Sequence, residues 1–355
     1  MYDIIIAGGG PAGATLARLA GNRYSILLLE KRCFSENMTL SSRKCCGGLL
    51  DPDAQRMLAG FSLGVPKSVL VSPQLFAVRT IDINNDIERY YQRHYINIDR
   101  NEFDKWLESI VPATVTIIND CLYRSFEDKG EYISVRFNHN GREYEERASL
   151  LVGADGAFSA VRRQRFGTMP SPKLYISIQE WFRASNGRNY YGAIFDDEIT
   201  DFYSWTIPKE DEIILGAALA PGRDAIDKFE RLKNKLRRYG YDFDEQLRRN
   251  AAYLYRPVRG THICACSGRV ALVGEAAGFI SPSSAEGMSY AFKSSLALAR
   301  AMEHGIEDYE HKYMKNLQPL KRNIILKNVK SPAMYNRKLR EMAMKSGLFS
   351  IDIVE

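Results

Sequence analysis

The chain opens on an apolar run, Tyr2–Ala7 (YDIIIA), which is short and isoleucine-rich and predicts a strand buried on both faces. Gly8-Gly9-Gly10-Pro11-Ala12-Gly13 follows. Residues 14–20 then place Leu16, Leu19 and Ala20 at helical spacing, and residues 25–30 (SILLLE) predict a second buried strand. Strand, glycine turn, helix and strand in this order predict a βαβ unit. Residues 34–50 lack periodicity and read as a long loop. Alternation predicts strands at 76–83 and 90–98, and residues 100–110 read as a helix. Antiparallel strands are expected at 114–118, 132–137 and 143–148, the last two joined by Asn140-Gly141, a strong hairpin signal. Short strands at 150–152 and 269–273 each run into another glycine-bearing turn. Residues 173–219 are strand-rich and aromatic, and 224–239 form a charged helix. Residues 287–302 predict a helix with Met288, Ala291, Phe292, Leu296 and Ala299 on its apolar face.

At 355 residues the chain has room for about two domains of roughly 150 residues. Its composition, 45% hydrophobic and 26% charged, excludes a disordered chain and a small disulfide-stapled one. No apolar run nears the ~18 residues that span a bilayer, and MYDIIIAGGG lacks the basic start of a secretory signal. Cysteines at 33, 45, 46, 121, 264 and 266 have no zinc-like spacing, so no metal site is expected. They read as reduced thiols of a cytoplasmic protein, with vicinal Cys45 and Cys46 the pair of interest. The net charge of +6 is concentrated at one end: from Lys312 onward there are ten Lys/Arg and three acids. There Leu317, Leu320, Ile324, Ile325 and Val329 recur at helical spacing beside Lys321, Arg322, Lys327 and Lys330. This segment is either a solvated basic face or a helix lying on the inner membrane surface. Nucleic acid is the poorer partner, as no nucleic-acid-binding motif accompanies the charge.

Three turns carry the chemistry. Gly8-x-Gly10-x-x-Gly13, between a strand and a helix, lets backbone and helix N-terminus approach a pyrophosphate. Glu30, at the end of the second strand, sits where an acid accepts from a ribose 2′-OH, which disfavours NADP there and leaves FAD or NAD. The second turn is Gly153-Ala154-Asp155-Gly156, continuing to Arg162. The third is Gly274-Glu275-Ala276-Ala277-Gly278, leading to Glu286-Gly287. Either of the latter alone could be a structural turn; in this order with the first they are far more specific.

Together the three turns resemble those of FAD-dependent oxidoreductases of the aromatic-hydroxylase fold group, and most closely the geranylgeranyl reductase family. The third turn usually has Asp where this chain has Glu275, one methylene longer with the same acceptor chemistry. Cys46-Gly47-Gly48-Leu49 resembles that family's CGG motif near the flavin. Residues 203–209 (YSWTIPK), with Gly216 beyond, resemble its substrate-cavity motif Tyr-x-Trp-x-Phe-Pro-Lys, Ile207 being the departure. The resemblance covers about 300 residues, from Met1 to Met302. With the order of the segments it implies an α/β (mixed α+β) fold, a discontinuous Rossmann-like FAD-binding domain (1–70, 97–165 and 263–305) with an inserted antiparallel-sheet substrate domain (71–96 and 166–262); the charge pattern adds a basic helical C-terminal segment (306–355).

The resemblance also implies FAD contacts at Gly8, Gly10, Pro11, Ala12, Gly13, Glu30, Lys31, Cys46, Gly47, Gly48, Arg100, Leu122, Asp155, Gly274, Glu275, Gly278, Gly287 and Met288. Tyr203, Trp205 and Pro208 would contact substrate, and Cys46 and Tyr203 are the candidate catalytic proton sources. A helix opening at Gly287 would turn its positive end toward an anionic reduced flavin, worth about 0.3–2 kcal/mol. The aromatic set at 175–205 is either the core of the second sheet or the wall of an apolar cavity. Tyr203 and Trp205, two apart on a strand, would share one side of it. The expected activity is FAD-dependent reduction of C=C bonds in an isoprenoid or other apolar lipid, with NAD(P)H or a ferredoxin-like carrier as electron donor. The alternatives are an FAD-dependent monooxygenase of an aromatic or apolar small molecule, and a flavin-loaded lipid-binding protein affecting envelope or colicin sensitivity.

Overall fold

The computed structural model describes residues 1–33, 44–167, 170, 172–183 and 189–353; most of the loop expected at 34–50 lies outside them. The chain forms two compact units, Met1–Arg43 with Asn101–Lys173 and Tyr255–Asn328, and Lys44–Arg100 with Leu174–Leu254 and Val329–Glu355. This division departs from the expected boundaries. Residues 44–70 and 97–100 go with the second unit, since Leu49–Leu50 pairs antiparallel with Ile87–Asn97. The C-terminal segment is divided: Tyr309, Tyr313, Leu317, Leu320 and Ile324 are buried in the core of the first unit, while the rest from Val329 belongs to the second.

In the first unit Tyr2–Ala7 pairs in parallel with Ile26–Leu29 on one side and with Arg142–Gly153 on the other. Val270–Leu272 and Thr116–Ile118 extend the sheet in parallel at either side. The helix Pro11–Ala20 makes the crossover between the first two strands, so the βαβ opening is as the hydrophobic pattern implies. Residues 143–148 and 150–152, read as two strands, are one: Arg142–Gly153 pairs with the hairpin in its first half and with the parallel sheet in its second. Asn140 and Gly141 both have positive φ, +49° and +74°, as a two-residue hairpin turn requires. Thr116–Ile118 is a parallel strand rather than an antiparallel one. The antiparallel partner of Ile133–His139 is Cys121–Asp128, unforeseen because charged and polar residues interrupt its alternation.

In the second unit nine strands form one mostly antiparallel sheet. Its central order is Lys173–Arg183, Glu212–Leu219, Ser204–Lys209, Tyr191–Phe195, Leu75–Asp82 and Ile87–Asn97. One face packs Ile178, Phe182, Leu215 and Ala217 against Phe229, Leu232 and Leu236 of the helix Ala225–Leu236. The opposite face carries the residues with chemical potential.

Candidate functional site

The glycine turn of the first unit assigns a different task to each glycine. Gly8 has φ +108°, and a Cβ there would lie 2.5 Å from the Ala154 carbonyl oxygen. A Cβ at Gly13 would lie 1.8 Å from the Gly8 carbonyl oxygen, so the helix can close on the strand only without a side chain. Gly10 has ordinary extended angles (φ −68°, ψ −171°), and a Cβ there would meet nothing within 4 Å. No internal contact demands glycine at position 10; a ligand approaching the backbone would. Pro11 stands at the first helical position, Ala12 and Gly13 follow, and no side chain caps the helix. The first helical N–H groups therefore have no intrahelical acceptor, and the positive end of the helix points out of the turn.

Glu30 is buried at the end of its strand. Its Oε2 accepts the Gly9 N–H at 2.6 Å, and its Oε1 accepts the Arg32 N–H and Nε at 2.9 and 2.8 Å. Arg32 bonds onward to Asp104 at 2.7 Å. This carboxylate thus braces the glycine turn as well as presenting itself at the ribose position. Lys31 is exposed beside it, and Leu122 is exposed one residue after Cys121, whose N–H donates to the Glu30 carbonyl at 2.9 Å.

The other two turns come to the same end of the parallel sheet, with Gly153 and Ala7 in register. Asp155 Oδ2 accepts the Ala160 N–H at 2.7 Å and so helps start the helix Ala160–Phe166. Its Oδ1 is buried with no hydrogen-bond partner, and burial pushes the carboxyl above its usual range. A buried carboxylate oxygen without a donor fits a ligand that brings one. Gly274 and Gly278 have φ +59° and +90°, and Glu275 Oε1 accepts the Tyr255 N–H at 3.2 Å. The longer side chain is thus partly engaged by the protein. Arg162, at the end of the second motif, donates to the carbonyls of Ala276 (3.2 Å) and His262 (2.8 Å), locking the second and third turns together. The sequence around Arg162 does not announce this positioning role. The helix Met288–Ala301 begins at Gly287 with no side-chain cap and no acid in its first turn. It packs on the first helix through the Ser295 hydroxyl, which donates to the Ala12 carbonyl at 2.7 Å.

These features fit the diphosphate and ribose parts of FAD: free space over Gly10, an uncapped helix start, a carboxylate at the strand end and an orphan carboxylate oxygen nearby. Among the described residues no cluster of ligating side chains could hold a metal ion.

In the second unit the CGG turn and the strand Ser204–Lys209 meet, although about 160 residues separate them in sequence. A Cβ at Gly47 would lie 2.3 Å from Ile207 Cδ1. The departure at Ile207 therefore abuts the CGG turn. Gly48 has φ +63°, and its carbonyl accepts from Lys209 Nζ at 3.0 Å. Lys209 also donates to the Ile98 carbonyl and to Asn97 Oδ1. Cys46 Sγ accepts the Gly48 N–H at 3.5 Å and Arg100 Nη1 at 3.3 Å. Its neighbour Cys45 is different: burial pushes that thiol up to about 12, and it faces the Ser177 carbonyl at 3.9 Å.

Burial brings the Lys209 ammonium down to about 7, with Cys46 and Asp99 pulling the other way. The unfolded chain holds that proton to about pH 10.4. Between these values the unfolded state binds more protons, so this group's contribution to stability rises with pH from about 7 to about 10. Lys209→Met is expected to flatten that rise in a melting-temperature series over this window; an unchanged slope would refute the assignment.

Tyr203 and Trp205 lie on the face away from the helix Ala225–Leu236, with ring centroids 5.4 Å apart. Trp205 is opposite Gly216, where a Cβ would lie 2.2 Å from the indole, and Gly216 is opposite Gln179 on the next strand. Tyr203 Oη is 3.4 Å from Tyr191 Oη. Gln179 Oε1 is buried with no hydrogen-bond partner. Pro208 does not join this wall. It pairs with Ile213, a core residue of the other face, because strand alternation turns it away from Trp205.

No family model matches the chain. Over 352 residues it is 37% identical to Protein CbrA of Escherichia coli O9:H4 (strain HS), covering 99% of this chain and 94% of that protein. It superposes on the geranylgeranyl bacteriochlorophyll reductase-like protein of Thermoplasma acidophilum with a TM-score of 0.78 at 19% identity, covering 97% of this chain and 90% of that one. On the flavin-dependent brominase Bmp2 the TM-score is 0.69 at 17% identity, covering 97% and 92%. The fold is that of FAD-binding, Rossmann-type flavoenzymes, and the chain belongs to the family of the CbrA proteins.

Proposed function

We propose that the protein is an FAD-dependent oxidoreductase that reduces C=C bonds of an isoprenoid or other apolar lipid. The observation that carries this reading is the sheet face of the second unit. Tyr203, Trp205 and Ile207 form an apolar row, with Gly216 left bare so that the indole can lie flat. Such a wall suits a long hydrocarbon. The reductase-like name of the Thermoplasma protein and the CGG and Tyr-x-Trp-x-x-Pro-Lys stretches favour reduction over oxygen insertion.

Gly10, Pro11, Ala12 and Gly13 would hold the diphosphate, Glu30 a ribose hydroxyl, and Asp155 and Glu275 further hydroxyls or ordered water. FAD, when bound and reduced, supplies a hydride for an unsaturated carbon. The protein must then deliver a proton to the neighbouring carbon. Tyr203, hydrogen-bonded to Tyr191, and Cys46, beside Arg100, are the candidates. Electrons would come from NAD(P)H or a ferredoxin-like carrier.

The test is anaerobic. Photoreduced protein mixed with a polyprenyl compound is expected to reoxidise, with a product two mass units heavier per double bond reduced. If only oxygen plus a small aromatic compound reoxidises it, with oxygen recovered in the product, the monooxygenase reading replaces this one.

A further inference from the structure

From His311 to Arg340 the chain carries nine Lys/Arg and no Asp or Glu. The apolar stripe foreseen in this segment divides on folding. Leu317, Leu320 and Ile324 are buried in the core of the first unit. Lys327 also points inward, with Nζ 3.2 Å from the Ser281 hydroxyl and 5.3 Å from the centre of the Tyr290 ring. The outward face of the helix Gln318–Lys330 consists instead of Arg322, Ile325, Leu326 and Val329, spaced as one helical stripe. Ile325, Leu326 and Val329 are 51%, 59% and 73% exposed. Arg322 precedes them and Lys330 follows them, both exposed, and Lys315 is exposed on the helix before.

Three adjacent aliphatic side chains in water call for an occupant, and the charge around them selects it. A second copy offering the same face would set cation against cation, with no acid in the segment to pair them. A nucleic acid would match the charge but leave the aliphatic residues unsatisfied. An anionic lipid surface matches both: the aliphatic residues enter the acyl boundary while the basic residues lie among the headgroups. Among the described residues no helix is long and apolar enough to cross a membrane, so the contact is lateral. We propose that the outward face of Gln318–Lys330 docks the protein reversibly on an anionic bilayer, with the helix lying in the plane of the surface.

The test is cosedimentation of the full chain with vesicles of phosphatidylcholine alone and of phosphatidylcholine mixed with phosphatidylglycerol. Binding is expected only to the mixed vesicles and is expected to fall as salt rises. Ile325→Ser with Leu326→Ser should weaken it roughly tenfold or more. Arg322→Glu with Lys330→Glu should remove the preference for phosphatidylglycerol. All four positions are exposed, so each variant should melt with the parent. No binding to the mixed vesicles, or binding indifferent to Ile325→Ser with Leu326→Ser, would overturn the proposal. So would a dimer in solution that these serine substitutions dissociate, with no lipid binding by the parent.

Discussion

Gly10→Ala is expected to leave the flavin-free protein folded and to weaken flavin binding by roughly tenfold or more, about 1.4 kcal/mol. Gly13→Ala is expected to do the opposite first, destabilising the chain by roughly 3 kcal/mol or more whether or not flavin is present. The contrast follows from the surroundings of each Cα. At Gly10 the backbone angles suit any residue and the added methyl meets no protein atom, so alanine costs the empty fold nothing and can even stiffen it slightly. The methyl would instead occupy the space through which a diphosphate oxygen reaches the turn. At Gly13 the methyl would lie 1.8 Å from the Gly8 carbonyl oxygen, and helix and strand must part. Melting curves and flavin titrations on the two variants separate the effects. Equal loss of flavin in both, with equal melting temperatures, would show that the turn does not work this way.

The second large effect is expected at Arg340, in the C-terminal helix Arg337–Lys345. Its guanidinium is 3% exposed and pairs with the fully buried Asp82 at 2.7 and 3.1 Å. The same guanidinium lies 5.2 Å from the centre of the Phe195 ring, and nearby Tyr335 packs on Phe195 and Phe202 at 5.9 and 5.4 Å. Arg340→Met leaves the Asp82 carboxylate buried and unpaired, a loss of about 3–5 kcal/mol, and the melting temperature should fall by several degrees. Asp82→Asn added to Arg340→Met should cost less than the two single changes summed, because the stranded charge is gone. Strict additivity would mean the pair does not hold the C-terminal helix to the sheet.

The sequence makes legible what backbone geometry enforces locally. The strand, glycine turn and helix at 2–20 could be read because no other residue tolerates the positive φ of Gly8 or the contact at Gly13. The Asn140-Gly141 hairpin is readable because asparagine and glycine are the residues that accept the left-handed φ of its two turn positions. The helix Pro52–Gly60 does not stand out in the hydrophobic pattern, although Asp51 caps it by accepting the Ala54 N–H and Pro52 stands at its start. The strand Gln246–Arg256 is hidden in the sequence because its arginines and asparagine mask the alternation.

What local pattern cannot reveal is the partner across the chain. Nothing near Lys209 in sequence announces that its ammonium will hold the turn at Gly48. Nor does the basic run at 312–345 show that Arg340 is a buried ion-pair member while Arg322 is exposed. Helical spacing in 317–329 located an apolar stripe, but its periodicity is shared between a buried and an exposed face. Only packing shows that Leu317, Leu320 and Ile324 are core and that Ile325, Leu326 and Val329 are not.

The most direct measurement is native mass spectrometry of the purified chain, alongside its visible absorbance. One FAD per chain, released on unfolding, is expected, with a yellow solution whose colour is lost in Gly10→Ala at low flavin. A folded, colourless chain that takes up no added FAD would contradict it.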